Sequence, residues 1–512
     1  MARRRMNSLP EAAHASDPPG SLAVPRKPPT IATHYLRYSM SNALVMLAGF
    51  ISFPILTRLL DNTQFGILRY YDTWMLIGVA LIKLGSQHAI VRFYPYDGDP
   101  QGMRAFGTNQ VLLPLVASGI LWVLCALGLV LWWRWGGGEV HPVLWGALLI
   151  MPMLAASNIV QMVARASERS DVVMATRIVG RLLELVLVLG AVILVQQSAL
   201  AVYGGKIIAT ALLLAWLMRW MRRNVHIARD AIDFHAFRTG LIYGLPMMAN
   251  ELANSVLTNL DRVLLKEITG DFAAVGIYAI GYALAMQVNI FISATLSEAF
   301  TPVVTRAYET GGGSAVRALK DRVLLPMTYA VVAIVAMLLV AGHDLLVALS
   351  GPGKAASGQV FVVVGITMSV YALLAIANFG LLLKKRTMLL LMITLVAALL
   401  NVAMNFILIP RMGYMGAAWA TAISYAALSA AQFITCPKGL ARFATARTVA
   451  VSLACATLLV VVANGSDLFG LHGAWSRLFA AGALFVLLYA LPVLAIDPNL
   501  RRMLLAFRTQ SQ

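Results

Sequence analysis

Apolar runs of membrane-crossing length recur along the whole chain, separated by short polar stretches. They lie near 36–60, 70–92, 107–133, 142–165, 172–195, 199–220, 239–260, 273–300, 323–349, 357–383, 387–409, 414–436, 446–464 and 475–496. A spanning helix needs about 20 apolar residues, and backbone groups in lipid must be satisfied within the segment. The pattern therefore predicts an all-α polytopic membrane protein of about 14 transmembrane helices. Short segments of alternating hydrophobicity, which a barrel would show, are not found.

Two polar interruptions share a layout. "LTRLLDNTQFGILRYYDTW" at 56–74 ends the first run and opens the second; "LDRVLLKEITGDFAAVGIYAIGYALA" at 260–285 ends the seventh and opens the eighth. Each has Arg-x-Leu followed by an apolar residue and Gly-Ile. The match predicts two repeats of six helices in one orientation, a known transporter layout, followed by two further C-terminal helices. Residues 1–33 read as a disordered basic cytoplasmic tail and 34–222 as the N-terminal six-helix lobe. Then come a 223–238 cytoplasmic linker, a 239–440 C-terminal six-helix lobe, 441–498 with the two added helices, and a 499–512 tail. The linker's Trp220, Val225, Ile227, Ile232 and Phe234 predict a short amphipathic surface helix. In this reading Gly276 makes the second outer turn, and Arg262, Lys266, Glu267 and Asp271 meet water there.

Composition agrees: 60% of residues are hydrophobic, 12% charged, and mean hydropathy is +0.78. The formal net charge of +18 would suggest nucleic acid in a soluble domain. With the N-terminus placed inside, however, about 28 of the 40 Lys and Arg fall on inside segments and about 8 outside. The basicity thus reports orientation, with both termini cytoplasmic, and no nucleic-acid partner is implied. Cys125, Cys436 and Cys455 have no metal-ligand spacing, so no metal or other cofactor is expected. Trp132, Trp133, Trp135 and Trp145 mark the outer interface.

Charges inside spans cost about 2.5–3.5 kcal/mol each on insertion scales, so they persist where they meet water, a partner or substrate. Lys83 sits near mid-depth of the second run, with His88 and Arg92 toward the cytoplasm. Arg177, Arg181 and Glu184 share one face of the fifth, either as a snorkelling Arg177 beside an Arg181–Glu184 pair or as a cationic face for an anion. Lys206 in the sixth is shallow enough to snorkel outward. Glu251, Asn254, Thr258 and Asp261 form a polar stripe at helical period, with Arg262 beside it. Asn289 belongs to a second stripe on the eighth, with Glu298 on a neighbouring face. Glu251 and Glu298 are the coupling-ion candidates. Asn401 and Asn405 read as packing glue.

"FISFPILTRLLDNTQFGILRYYDTW", "AIVRFYP", "LTNLDRVLLKEITGDFAAVGIYAIGYALA" and "LNVAMNFILIPRMGYMGAAWATAISY" resemble the polysaccharide-biosynthesis membrane proteins. These are the O-antigen-type flippases of the multidrug/oligosaccharidyl-lipid/polysaccharide exporter superfamily. The resemblance covers about residues 36–440. It implies two six-helix lobes around a central cavity, and alternating-access movement of a polyprenyl-diphosphate glycan from the cytoplasmic to the outer leaflet of a bacterial inner membrane. Membrane lipids, a glycan polymerase and chain-length machinery are the partners it implies; it brings no catalytic motif. Two alternatives remain open: a cation-coupled multidrug antiporter of the same superfamily, and a membrane glycan polymerase or ligase. The first run holds no carboxylate, and no large outer loop is present.

Overall fold

The computed structural model describes the backbone of residues 31–96, 99–136, 140–465 and 471–503, and their side chains except at 31–43 and 291–299. The predicted tails at 1–33 and 499–512 lie largely outside these limits. The described residues form helices α1 (Ile31–Leu59), α2 (Asn62–Ile82), α3 (Ser86–Arg92), α4 (Pro100–Phe106), α5 (Leu113–Gly136), α6 (Pro142–Ala166), α7 (Ser170–Leu194) and α8 (Ala199–Asn224) in the first half. The second half holds α9 (Phe234–Thr269), α10 (Phe272–Ser350), α11 (Ser357–Ala377), α12 (Gly380–Leu383), α13 (Thr387–Met412) and α14 (Tyr414–Thr435). α15 (Ala446–Gly465), α16 (Ala474–Phe485) and α17 (Leu491–Ile496) complete the chain. Eleven helical segments among the described residues are long and apolar enough to cross a membrane. Of the about 14 runs predicted, those on α1, α7 and α9 fall short of that standard: α7 and α9 carry charge, and only Leu44–Leu59 of α1 qualifies as a shorter apolar helix. α10 bends at Gly312, whose φ of 60° and ψ of −153° break the helix.

Tight backbone approach sets where the two halves meet. A Cβ added to Gly66 on α2 would lie 1.8 Å from the Phe272 carbonyl oxygen, and one added to Gly276 on α10 would lie 1.8 Å from that of Asn62. Phe272 and Asn62 each precede the other helix's glycine by four residues, so the contact is reciprocal. Gly276 therefore serves helix crossing. The turn itself is made by Gly270, in the left-handed region at φ 72°, and by Asp271, which caps α10 by accepting from the Ala273 and Ala274 amides. This corrects the sequence expectation for Gly276. The repeat does not extend to its arginines: Arg58 lies in the last turn of α1, but α9 runs about two turns past Arg262 to Thr269.

The same end of the bundle is tied by exchanged helix caps. Arg58 donates to the carbonyls of Ala348 (2.6 Å) and Leu349 (2.9 Å) at the end of α10. Lys354, just past α10, donates to Leu60 O (2.8 Å) just past the end of α1 and to Asn62 Oδ1 (2.9 Å) at the start of α2. Terminal carbonyls lack intrahelical partners and carry the negative end of the helix dipole, which suits both cations. Lys354 is buried, which pushes its ammonium below the ordinary lysine value.

The linker is not an amphipathic helix. Residues 225–233 run extended apart from one short turn at Arg229–Ala231, because α4 leads into a π-helical turn, Gly107–Leu112, that grips them. Thr108 accepts from Ala228 N and donates to Ala228 O, both 3.1 Å. Asn109 donates to Ala231 O (2.9 Å) and accepts from Asp233 N (2.8 Å), and Gln110 donates to Ala236 O (2.8 Å). All three side chains are buried. Side chains that bond a strand's backbone on both edges offer it an alternative to helix. Val225 is buried, while Phe234 is 72% exposed.

Candidate functional site

Four helices of the first half, with α10 of the second, enclose a charged hollow. α2 carries Arg69 and Asp72 one turn apart on its inner face, α7 carries Arg181 and Glu184 likewise, and α8 carries Tyr203 and Lys206. Asp72 is the hub. Its Oδ1 accepts from Lys206 Nζ at 2.7 Å and from the Tyr203 hydroxyl at 3.0 Å, and its Oδ2 lies 3.6 Å from Arg69. Arg181 bonds Glu184 at 3.2 Å and the Ser52 hydroxyl of α1 at 3.3 Å. These groups line a cavity of about 170 Å³, closed on one side by Ala283 and Gln287 of α10. Arg177, Arg181, Glu184 and Lys206 also line a second cavity of about 630 Å³. Four cations, Arg69, Arg177, Arg181 and Lys206, face two carboxylates, so the hollow is net positive. The Nε atoms of Arg69 and Arg181 are buried without a hydrogen-bond partner. Donors left over in so costly a setting fit an anion with several acceptor oxygens.

The sequence placed Arg177, Arg181 and Lys206 among the candidates, and the structure brings them together. Lys206 does not snorkel; its side chain is 16% exposed and its ammonium faces Asp72. Arg69 and Asp72 were missed because the charge count assigned Arg69 to an outer loop. Asp61, which caps α2 by accepting from Gln64 N, starts the helix at Asn62 and so carries both inward.

Lys83 pairs with an acid on another helix. α2 stops at Ile82, Leu84 and Gly85 take φ of 53° and 70°, and α3 restarts at Ser86. At this break Lys83 Nζ reaches Glu251 Oε1 at 2.9 Å, and Gln87 Nε2 reaches Glu251 Oε2 at 2.5 Å. Lys83 is the residue that ends α2, and Gln87 stands in the first turn of α3. Gly85 and Gly244 of α9 touch backbone to backbone there, 2.0 Å from an added Cβ to Gly244 O. The pair thus links α2 to α9. Arg92 ends α3 exposed to solvent.

The rest of the predicted stripe divides between exposed and buried positions. Asn254 and Thr258 bond back to α9 itself, at Asn250 O (2.9 Å) and Asn254 O (2.8 Å). Asp261 is fully buried and accepts from the hydroxyls of Tyr278 and of Thr421 (3.0 Å). Arg262 does not meet water. It is 8% exposed, bonds Asn259 Oδ1 at 2.6 Å and lies over the Tyr282 ring at 4.7 Å. Lys266 lies over the Phe272 ring, and Glu267 accepts from Tyr70 of α2 at 2.7 Å. Asn289 is half-buried on α10. Glu298 lies outside the residues whose side chains are described. Asn405 donates to Asn401 O at 2.9 Å, and both are buried on α13. Among the described residues no cluster of His, Cys, Asp and Glu could hold a metal ion.

A family model described as "Polysaccharide biosynthesis protein" matches residues 33–308. No curated protein matches the sequence. Solved structures do. The lipid II flippase MurJ in an inward-closed conformation superposes with a TM-score of 0.69 at 10% identity, over 91% of this chain and 99% of that one. An inward-facing multidrug-resistance MATE transporter of the MOP superfamily gives 0.58 at 14% identity, over 78% and 96%. A MOP-superfamily transporter from Pyrococcus furiosus, described as having a binding pocket of reverse polarity, gives 0.52 at 14%, over 78% and 94%. At these identities the likeness is one of fold.

Proposed function

Since the chain belongs to the polysaccharide biosynthesis protein family and has the fold of MOP-superfamily transporters, we propose that it is a flippase for a lipid-linked oligosaccharide. It carries a polyprenyl-diphosphate glycan from the cytoplasmic to the outer leaflet of a bacterial inner membrane, by alternating access between the α1–α8 and α9–α14 lobes. Both termini are cytoplasmic, and no covalent chemistry is involved. The observation that carries this reading is the net-positive hollow built by Arg69, Arg177, Arg181 and Lys206 around Asp72 and Glu184. A diphosphate is the part of such a cargo that lipid excludes most strongly, and guanidinium groups with unspent donors match its oxygens. The polyprenyl tail stays in the bilayer. A glycan polymerase acting on the outer leaflet is a partner that this reading supplies with substrate.

Export by the host strain deleted for this chain tests the reading. Reintroduction of the wild-type protein restores surface glycan and clears lipid-linked intermediates from the inner leaflet. Accumulation that persists with the protein present in the membrane at normal level contradicts it. The antiporter reading draws on a different observation, the half-exposed Glu251 carboxylate at the break between α2 and α3. It predicts that the same strain regains resistance to cationic drugs and no surface glycan.

A further inference from the structure

The hollow of the first half has two unlike compartments. Both hold charge: Arg69 and Asp72 stand in the smaller alone, and Arg177 in the larger alone. The larger, about 630 Å³, lies between α1, α2, α6, α7 and α8, and Arg181, Glu184 and Lys206 stand in the wall common to both. Its far side carries Ser157, Asn158 and Gln161 on α6, with Thr176 on α7 and Thr210 on α8, set among apolar side chains such as Met75, Leu76, Ile150 and Leu154. These are neutral hydroxyls and amides, each able to donate and to accept. Thr176 spends its proton on Val172 O at 2.5 Å and keeps its lone pairs. Ser157 is 3% exposed, and its hydroxyl has no partner. Among the described residues, Asn158, Gln161 and Thr210 have no side-chain hydrogen bond either. The cationic wall, with Arg177 beside it, makes an anion site, whereas the face of hydroxyls and amides carries no charge.

A dry apolar cavity needs no polar lining, and a structural water occupies about 30 Å³. This space would hold on the order of twenty waters, far more than a bridge between helices requires. A ligand that matches alternating donors and acceptors without charge is a polyhydroxylated one. We propose that the larger compartment receives the neutral sugars of the cargo while the diphosphate stays against Arg69, Arg181 and Lys206 across the wall. This rests on the flippase reading and adds to it a site for the glycan, set inside the first half and not between the halves. A consequence is dependence on glycan length: the more sugars the cargo carries, the more the export rate depends on this lining.

The test uses the full-length protein in its host deleted for the native copy. Two cargoes are compared, the complete lipid-linked oligosaccharide and a single-sugar form produced by removing the later glycosyltransferases. The double variant Asn158→Leu/Gln161→Leu is expected to lose at least tenfold more export of the complete glycan than of the single-sugar form. Arg181→Gln is expected to lose both equally. Thr210→Val, close to isosteric, is expected to show the same bias at about threefold, which keeps the test decisive if the double variant fails to reach the membrane. Equal effects of the lining variants on both cargoes, whether none or severe, at matched membrane levels overturn the inference. A wild-type protein that exports neither cargo overturns the flippase reading instead.

Discussion

Both halves bury polar side chains at helical spacing, yet they use them in opposite ways. In the first half, Asp72, Arg69, Arg181, Glu184 and Lys206 surround space. In the second, Asp261, Tyr278 and Thr421 fill it: each is buried and the hydroxyls of two point at one carboxylate oxygen of the third, whose other oxygen is buried without a partner. The cavity described between α11 and α14 of the second half, about 440 Å³, is lined mainly by apolar and aromatic side chains such as Val370, Leu374 and Phe433. Polar groups bonded to one another across helices act as glue between them; polar groups that line a void can be satisfied by water or cargo. On the flippase reading, the difference puts cargo contact in the first half and mechanical integrity in the core of the second.

The sharpest break in that comparison comes from charge removal. Arg181→Gln and Lys206→Gln are expected to lose at least tenfold in glycan export, with membrane level and melting temperature near wild type. A loss of protein in place of activity would move these residues into the structural class. The reverse is expected for Asp261→Ala. It removes the carboxylate that both buried hydroxyls face, leaving Thr421 its bond to Ala417 O at 3.1 Å and Tyr278 only Thr421 at 3.2 Å; a buried donor left unsatisfied costs about 1–3 kcal/mol. The purified variant should show a clearly lower melting temperature, and export per folded molecule should fall less than for Arg181→Gln.

Smaller effects probe how the halves are joined. Gly66→Ala forces α2 and α10 apart at a point where backbone meets backbone. Overpacking of this kind costs about 1–3 kcal/mol, read as a lower melting temperature and as faster labelling of a cysteine placed at Tyr70. Unchanged labelling would mean that the seam has slack. Asn109→Ala removes the two bonds that hold Ala231 and Asp233, at about 1 kcal/mol each. Its expected signature is local: earlier proteolysis of the 225–233 linker with little change in global unfolding.

Much of this arrangement was legible in the sequence, and the misses have physical causes. Hydropathy located the helices because lipid forces each segment to satisfy its own backbone. Gly66 and Gly276 were visible as a repeat, although their role was misjudged: sequence shows a glycine but not the helix that crosses it. Arg177, Arg181 and Lys206 stood out as charges within apolar runs. Arg69 and Asp72 did not: Arg69 precedes the second predicted run and Asp72 is only its third residue, beside the α1–α2 turn. Lys83 was recognisable as costly, but its partner Glu251 lies 168 positions away. The break after Ile82 depends on Leu84 adopting a positive φ, for which leucine has no local preference. The Thr108-Asn109-Gln110 grip went unread because amides near a helix start commonly bond their own backbone.

The central claim is that the interior of the first half is open to water and cargo while the polar core of the second is closed. It is tested most directly by cysteine accessibility. With Cys125, Cys436 and Cys455 replaced, single cysteines at Asn158 and at Asn405 are exposed in membranes to a small, charged thiol reagent. Labelling at position 158 that is slowed by accumulated lipid-linked glycan, with position 405 unreactive, is the predicted result. Unreactive Asn158→Cys beside reactive Asn405→Cys would contradict it.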